Sequence, residues 1–183
     1  KMVFRYNYIR NKYLGNHGTE SGQDHRSCYA FELYNNRMIG NSVINQAFYQ
    51  RGGSILIHNN IFENFAWNIM AVRIFRLYNG YEGIYCSGYF WGCCNGTKTW
   101  DGNGSPTGYL CMDQPGTGQT SGGSYDHPEQ LSQPTSSPMY IWSNTVSNVP
   151  GVVGMLSPEV GYINQNRDYF YSVDATAALP GYT

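Results

Sequence analysis

The sequence predicts an all-β fold in which short strands stack in parallel as a solenoid, a parallel β-helix, and two observations predict it. A five-residue motif, Asn-x-Φ-x-Asn or Gly with Φ apolar, occurs four times. No amphipathic helical period lies between the copies, so the repeat is neither leucine-rich nor helical. The copies are Asn7-Tyr8-Ile9-Arg10-Asn11, Asn36-Arg37-Met38-Ile39-Gly40, Asn60-Ile61-Phe62-Glu63-Asn64 and Asn144-Thr145-Val146-Ser147-Asn148, and their leading asparagines are 29, 24 and 84 residues apart. Periods in the twenties belong to solenoids.

Each copy follows an apolar or alternating run that reads as a strand: Phe4-Arg5-Tyr6, Phe31-Glu32-Leu33-Tyr34-Asn35, Ile55-Leu56-Ile57-His58-Asn59 and Tyr140-Ile141-Trp142-Ser143. The unit is therefore strand, Asn turn, strand. An Asn repeated at one corner of successive coils can hydrogen-bond the backbone or the Asn above it and tolerates the left-handed conformation such corners need. The Φ residue two positions on should point into the core. A competing antiparallel sandwich would want tight Asn-Gly turns between neighbouring strands. The pairs Asn79-Gly80, Asn95-Gly96 and Asn103-Gly104 instead sit mainly in the long third interval.

That interval holds an excursion from 81 to 137, rich in Gly, Ser, Thr, Pro and Gln yet carrying Phe90, Trp91, Trp100 and four of the five cysteines. So much apolar and cross-linkable material argues for a loop insertion pinned by disulfides and lying over the coil as a flap, with 116–138 its least anchored part. A bridge from Cys93 or Cys94 to Cys111 would close a loop of about 17 residues, worth roughly 3 kcal/mol on the chain-entropy model. Clustered cysteines favour an oxidising, secreted setting. Their spacing fits no common zinc pattern. With 183 residues the chain makes one domain, 1–183, and its ends, Lys1 and Gly181-Tyr182-Thr183, read as those of a fragment of a longer protein.

Eleven Lys and Arg against twelve Asp and Glu leave a formal charge of −1, which argues against a nucleic-acid backbone or an anionic membrane as partner. The apolar runs fall short of the roughly 18 residues a membrane helix needs.

The segments Phe31-Glu32-Leu33-Tyr34-Asn35-Asn36, Ile55-Leu56-Ile57-His58-Asn59-Asn60, His17-Gly18-Thr19, Cys94-Asn95-Gly96-Thr97, Trp100-Asp101-Gly102-Asn103, Gly108 to Gly116 and Asn166-Arg167-Asp168-Tyr169-Phe170 are similar to those of the secreted bacterial right-handed parallel β-helix proteins of the pectate-lyase-like superfamily. The closest likeness is to an uncharacterised branch. The resemblance implies a right-handed coil, secretion or cell-surface location, and a Cys94 to Cys111 pairing. The superfamily is dominated by polysaccharide lyases and glycoside hydrolases, with tailspikes and adhesins besides. The chain lacks the calcium-carboxylate cluster and arginine-base motif of the lyases.

For catalysis the sequence offers one concentrated segment, His17 to Arg26. A β-elimination lyase needs a base for the proton α to a uronate and a cation for its carboxylate, roles open to His25 and Arg26, with Asp24 or His17 beside them. A glycosidase needs two carboxylates, for which Glu20, Asp24 and Glu32 are the local choices. The same groups also fit a solvated loop in which Asp and Arg simply pair. For binding, Arg51 follows a strand in Arg51-Gly52-Gly53, and Arg73 and Arg76 alternate with apolar neighbours, which should turn Arg73 to the outer face of a coil; a row of guanidinium groups along a groove would suit carboxylates. Tyr81, Tyr85, Tyr89 and Trp91 offer flat faces for sugar rings. Asp101-Gly102-Asn103-Gly104-Ser105 starts like a calcium loop but lacks the required Gly and Glu, so no cofactor is expected, with calcium alone left open. The expected function is binding of a polysaccharide or surface glycan, by a lyase or hydrolase if by an enzyme. The alternative is a non-catalytic structural or adhesive module that self-assembles into surface fibres.

Overall fold

A computed structural model describes residues 2–16, 30–74, 114–118, 135–155 and 161–172. Among them are thirteen strands and no helix. In chain order these are β1 (Met2–Arg5), β2 (Tyr8–Arg10), β3 (Leu14–Gly15), β4 (Ala30–Tyr34), β5 (Arg37–Ile39), β6 (Gln46–Gln50), β7 (Ser54–His58), β8 (Ile61–Glu63), β9 (Asn68–Val72), β10 (Met139–Trp142), β11 (Thr145–Ser147), β12 (Gly151–Met155) and β13 (Tyr169–Tyr171).

The chain visits three parallel sheets in rotation. Sheet A runs β1-β4-β7-β10-β13, sheet B β2-β5-β8-β11 and sheet C β3-β6-β9-β12. One circuit, here called a rung, is a strand from each sheet. The register is constant from rung to rung: Leu33 lies between Phe4 and Ile57, and Met38 between Ile9 and Phe62. The all-β parallel architecture expected from the repeat is thus present.

The repeated asparagines stand at the corner between sheets A and B and form a continuous ladder. Oδ1 of Asn36 accepts from the backbone N (2.9 Å) and Nδ2 (3.1 Å) of Asn7. Asn60 Oδ1 accepts from the same two atoms of Asn36, both at 3.0 Å, and Asn144 Oδ1 from those of Asn60 at 2.9 and 3.0 Å. Each Nδ2 also reaches the carbonyl two residues before it, Arg5, Tyr34, His58 or Trp142. From Asn36 onward it reaches a carbonyl of the neighbouring rung as well, that of Phe4, Leu33 or Ile57. Asn36 and Asn60 are buried, and this mutual satisfaction is what lets a carboxamide sit there.

The left-handed residues of this corner are not the ladder asparagines themselves. They are the preceding Tyr6, Asn35, Asn59 and Ser143, with φ between 50° and 57°. Asn11, Asn64 and Asn148 repeat the conformation where sheet B ends, and Asn148 Nδ2 donates to Asn64 Oδ1 at 3.0 Å. Asn tolerates φ > 0 better than other residues with a Cβ, so runs such as Asn35-Asn36 place one residue for the bend and one for the ladder.

Inside the rungs lies one apolar core that includes Phe31, Leu33, Phe48, Ile55, Ile57 and Met70. The Φ positions behave as expected in the middle of the stack, where Met38 and Phe62 are fully buried. Val146 differs: it is 41% exposed and borders a cavity of about 550 Å³ at the end of rung four, with Ile141, Val149 and Tyr171. In β6 and β9 two successive residues face the core, Ala47-Phe48 and Ile69-Met70. This break in alternation turns Gln46 and Asn68 to the same outer side as Tyr49 and Ala71.

All long connections leave at the corner between sheets C and A. Residues 16–29 separate β3 from β4 and residues 73–138 separate β9 from β10, whereas β6 joins β7 through Arg51-Gly52-Gly53 alone. The longest connection returns to the stack part-way. Pro115 bridges Gly53, Gly116 N donates to Gly53 O at 2.9 Å, and Gly116, with φ of 88°, packs so closely on Asp168 that a Cβ would lie 2.7 Å from the Asp168 carbonyl. Asp168 is fully buried and held by Arg167 at 2.7 Å and by the backbone N of Asn164. A neck then forms where Thr117 and Ser136 pair antiparallel and Gly118 N donates to Thr135 O at 2.8 Å. The stretch 116–138, expected to be poorly anchored, is therefore fixed at 116–118 and 135–138. Cys28, Cys86, Cys93, Cys94 and Cys111 lie outside the described residues.

Candidate functional site

The outer face of sheet C carries a groove of about 200 Å³ between rungs two, three and four. Tyr49 on β6, Ala71 on β9 and Gly154 on β12 share one register row across its floor. The side chains shrink along that row from phenol to methyl to hydrogen, and the groove opens on the small side. A Cβ at Gly154 would collide with Nδ2 of Asn68 and lie 2.8 Å from its Cγ, so any larger residue there would have to displace the Asn68 side chain.

Two arginines flank Tyr49. Arg73 N donates to Gln50 O at 3.0 Å, which places Arg73 opposite Arg51, one rung on and in the same register. The guanidinium carbons lie 5.2 Å (Arg51) and 5.9 Å (Arg73) from the Tyr49 ring centroid, both in the cation–π range. Arg51 is further fixed by Asn16, whose carbonyl accepts from Arg51 Nε at 2.9 Å and whose Oδ1 accepts from Arg51 N at 2.7 Å. Trp67 stands at the rim, 58% exposed. The outward orientation expected of Arg73 is present, and the two arginines meet on one ring.

Asn68, at the start of β9, is 7% exposed and lines the groove, yet its Oδ1 is buried with no hydrogen-bond partner among the described residues. Such an acceptor costs about 1–3 kcal/mol if left unpaired. The groove thus combines cationic, aromatic and amide groups, the set that recognises a polyhydroxylated, negatively charged chain. Among the described residues no carboxylate lines it.

Glu32 lies on a different surface, the outer face of sheet A. Beside it, at one register position, Tyr34, His58 and Trp142 stack with ring centroids 5.0 and 4.4 Å apart and interplanar angles of 4° and 20°, and Arg5 Nη1 donates to Tyr34 OH at 2.7 Å. These rings cover one another's faces and present edges outward, so they do not offer open platforms for a sugar. Burial holds the His58 imidazole below its ordinary range, with the Glu32 carboxylate drawing it back up. Asn59 Nδ2 lies 3.1 Å from His58 Nδ1 and, as a donor, leaves the ring proton on Nε2.

No family model, curated protein or solved structure matches the chain. The geometry alone therefore carries the reading.

Of the sequence candidates, Arg51 and Arg73 are brought together and Glu32 is on another face. His17, Asp24, His25, Arg26, Tyr81, Tyr85, Tyr89, Trp91, Cys94 and Cys111 lie outside the described residues. Connectivity still matters, since His17 directly follows Asn16, whose carbonyl and side chain hold Arg51. Sequence reasoning missed Tyr49, Trp67, Asn68 and Gly154. The glycine inside the strand Gly151–Met155 was the one available signal of a close approach. No group of three His, Cys, Asp or Glu able to hold a metal occurs among the described residues.

Proposed function

We propose that the chain is a secreted or cell-surface right-handed parallel β-helix, of the pectate-lyase-like kind, that binds an acidic polysaccharide along the outer face of sheet C. The single observation that carries this reading is the convergence of Arg51 and Arg73 on Tyr49 beside exposed Trp67. Two guanidinium groups one rung apart match carboxylates spaced along a glycan, and the aromatic rim supplies a stacking face. The right hand is supported by the chirality of parallel crossovers, which is nearly invariant for strands of one sheet. The titratable segment from His17 to Arg26 and the long insertion both join the stack at the corner where sheet C ends, the position from which either would supply catalytic groups to a glycan on that face. A lyase or a glycoside hydrolase is the reaction class such groups would serve.

The test is incubation with polygalacturonate, alginate and a neutral glucan, with and without calcium, measuring bound protein, ultraviolet absorbance of unsaturated ends and new reducing ends. Retention on an acidic glycan that falls about tenfold in Arg73→Ala is expected, the scale of one lost charge-assisted hydrogen bond. Unsaturated products lost in His25→Ala or Arg26→Ala would add a lyase, and reducing ends without unsaturation a hydrolase. Equal, Arg73-independent behaviour towards all three glycans would refute the proposal and favour a structural or adhesive, self-assembling module.

A further inference from the structure

Beyond the fourth rung the three sheets no longer advance together. Sheet A continues to β13, but among the described residues sheets B and C stop at β11 and β12. The cavity of about 550 Å³ lies at this level, walled by Ile141, Val146, Val149 and Pro150 and, from β13 and the residue after it, by Tyr171 and Ser172. The ladder has open positions here as well. Asn7, Asn36 and Asn60 each donate from the backbone N–H and from Nδ2 to the Oδ1 of the next rung. Asn144 Nδ2 reaches the carbonyls of Ile57 and Trp142 as its counterparts do, yet among the described residues neither it nor the Asn144 backbone N–H has a ladder acceptor. An apolar surface continuous with the core, beside two ladder donors that lack the acceptor, is what a stack presents where another rung belongs.

The sequence that follows has the matching pattern. β10 pairs with β13 thirty residues further on, Met139 with Tyr169 and Ile141 with Tyr171. Carried past Ser172 at the same spacing, the register sets Asp174 over Asn144, Thr176 over Val146 and Leu179-Pro180-Gly181 over Val149-Pro150-Gly151. An apolar residue followed by Pro-Gly occurs at these two places alone in the chain, and they are separated by the same thirty residues. Asp174 differs from the ladder asparagines in one respect: a carboxylate accepts from two donors but has no N–H to hand on. Val173 falls at the bend, the position of Tyr6, Asn35, Asn59 and Ser143, whose φ of 50–57° a β-branched residue adopts only under strain.

We propose that residues 173–183, which lie outside the described residues, seat on this cavity as a fifth rung, with Leu179 packed on Val149 and the Asp174 carboxylate accepting from the backbone N–H and Nδ2 of Asn144. The chain thereby covers its own core with a rung whose ladder position accepts and does not donate. The occupant is this segment in preference to a second copy, because it starts at the cavity's edge beside Ser172 and so competes at the high effective concentration of a tethered group. Its eleven residues are as many as rung four spends from Ser143 to Val153. The proposal is independent of what sheet C binds.

The test is nuclear magnetic resonance of the whole chain, with urea unfolding beside it. Contacts between the Leu179 and Val149 methyl groups are expected within one molecule, in a mixture of labelled and unlabelled protein, together with slow hydrogen exchange at the Asn144 amide. Asp174→Ala should speed that exchange about tenfold or more, the weight of one charge-assisted hydrogen bond, and Asp174→Asn, which restores an acceptor, should bring it back. Val173→Gly should raise the urea midpoint, since glycine takes positive φ freely; a segment lying free in solvent would leave the midpoint unmoved. Absence of the Leu179 to Val149 contact, or an Asn144 amide that exchanges equally fast in wild type and Asp174→Ala, would overturn the proposal. The same contact found only between molecules would overturn it in favour of end-to-end association of two copies.

Discussion

Replacing Asn60 by alanine removes the middle of the ladder, and the cost can be built atom by atom. The buried backbone N–H of Asn36 loses its acceptor, the carbonyls of Leu33 and His58 each lose a donor, and Asn144 Oδ1 loses one of its two donors. One orphaned buried N–H costs about 1–3 kcal/mol and each of the three further hydrogen bonds is worth about 1 kcal/mol, so Asn60→Ala should destabilise by about 4–6 kcal/mol. Asn7 stands at the outer end of the described ladder, half-buried, and no described asparagine donates to its Oδ1. Asn7→Ala should therefore cost about 1 kcal/mol or less. The assay is urea unfolding followed by circular dichroism, comparing midpoints at constant slope. The reasoning rests on the asymmetry: equal losses for Asn7→Ala and Asn60→Ala, within about 0.5 kcal/mol, would show that corner asparagines act one by one through their bends and not as a linked ladder.

Other expectations test local packing and pH. Gly40→Ala would drive a Cβ into the carbonyl of Asn64 and to 3.0 Å from Phe65 Cδ1, so it should destabilise by about 1–3 kcal/mol, the usual cost of overpacking against backbone; an unchanged urea midpoint would contradict the geometry. His58 is neutral in preference to charged in the fold, because burial lowers its pKa. The unfolded chain therefore takes up the proton first as pH falls below about 6.5, and stability contributed by neutral His58 is lost in that window. Melting temperature should fall more between pH 7.5 and 5 for wild type than for His58→Phe, and the opposite order would refute the assignment.

The repeat was legible because the ladder demands one chemical identity: only a carboxamide both accepts from the previous rung and donates to the next one, so Asn recurs where Leu or Val could interchange elsewhere. Strands β4 and β7 were legible for the same reason any half-buried strand is, their alternation of Phe31, Leu33, Ile55 and Ile57 with outward residues. The groove was not. Tyr49, Arg73, Asn68 and Gly154 meet only through the register of β6, β9 and β12, and that register lies across an insertion the sequence does not measure. The broken alternation at Ala47-Phe48 and Ile69-Met70 also hid the outward turn of Asn68, since a period of two would have buried it with Met70. The bend residues were misplaced by one position because Asn35-Asn36 and Asn59-Asn60 offer the same residue type for two different tasks.

The intervals between ladder asparagines have a consequence for how such a chain changes. Asn36 to Asn60 takes 24 residues and Asn60 to Asn144 takes 84, yet the hydrogen bonds across the two steps differ by no more than 0.1 Å. The stack counts circuits and is indifferent to the length of chain spent on each. At the corner after sheet C, with its neck at Thr117 and Ser136, sequence can be gained, lost or exchanged without disturbing the neighbouring rungs, so what is inserted there is free to diversify while the scaffold stays the same. Chains built on this frame would share their asparagines and differ in what they grip.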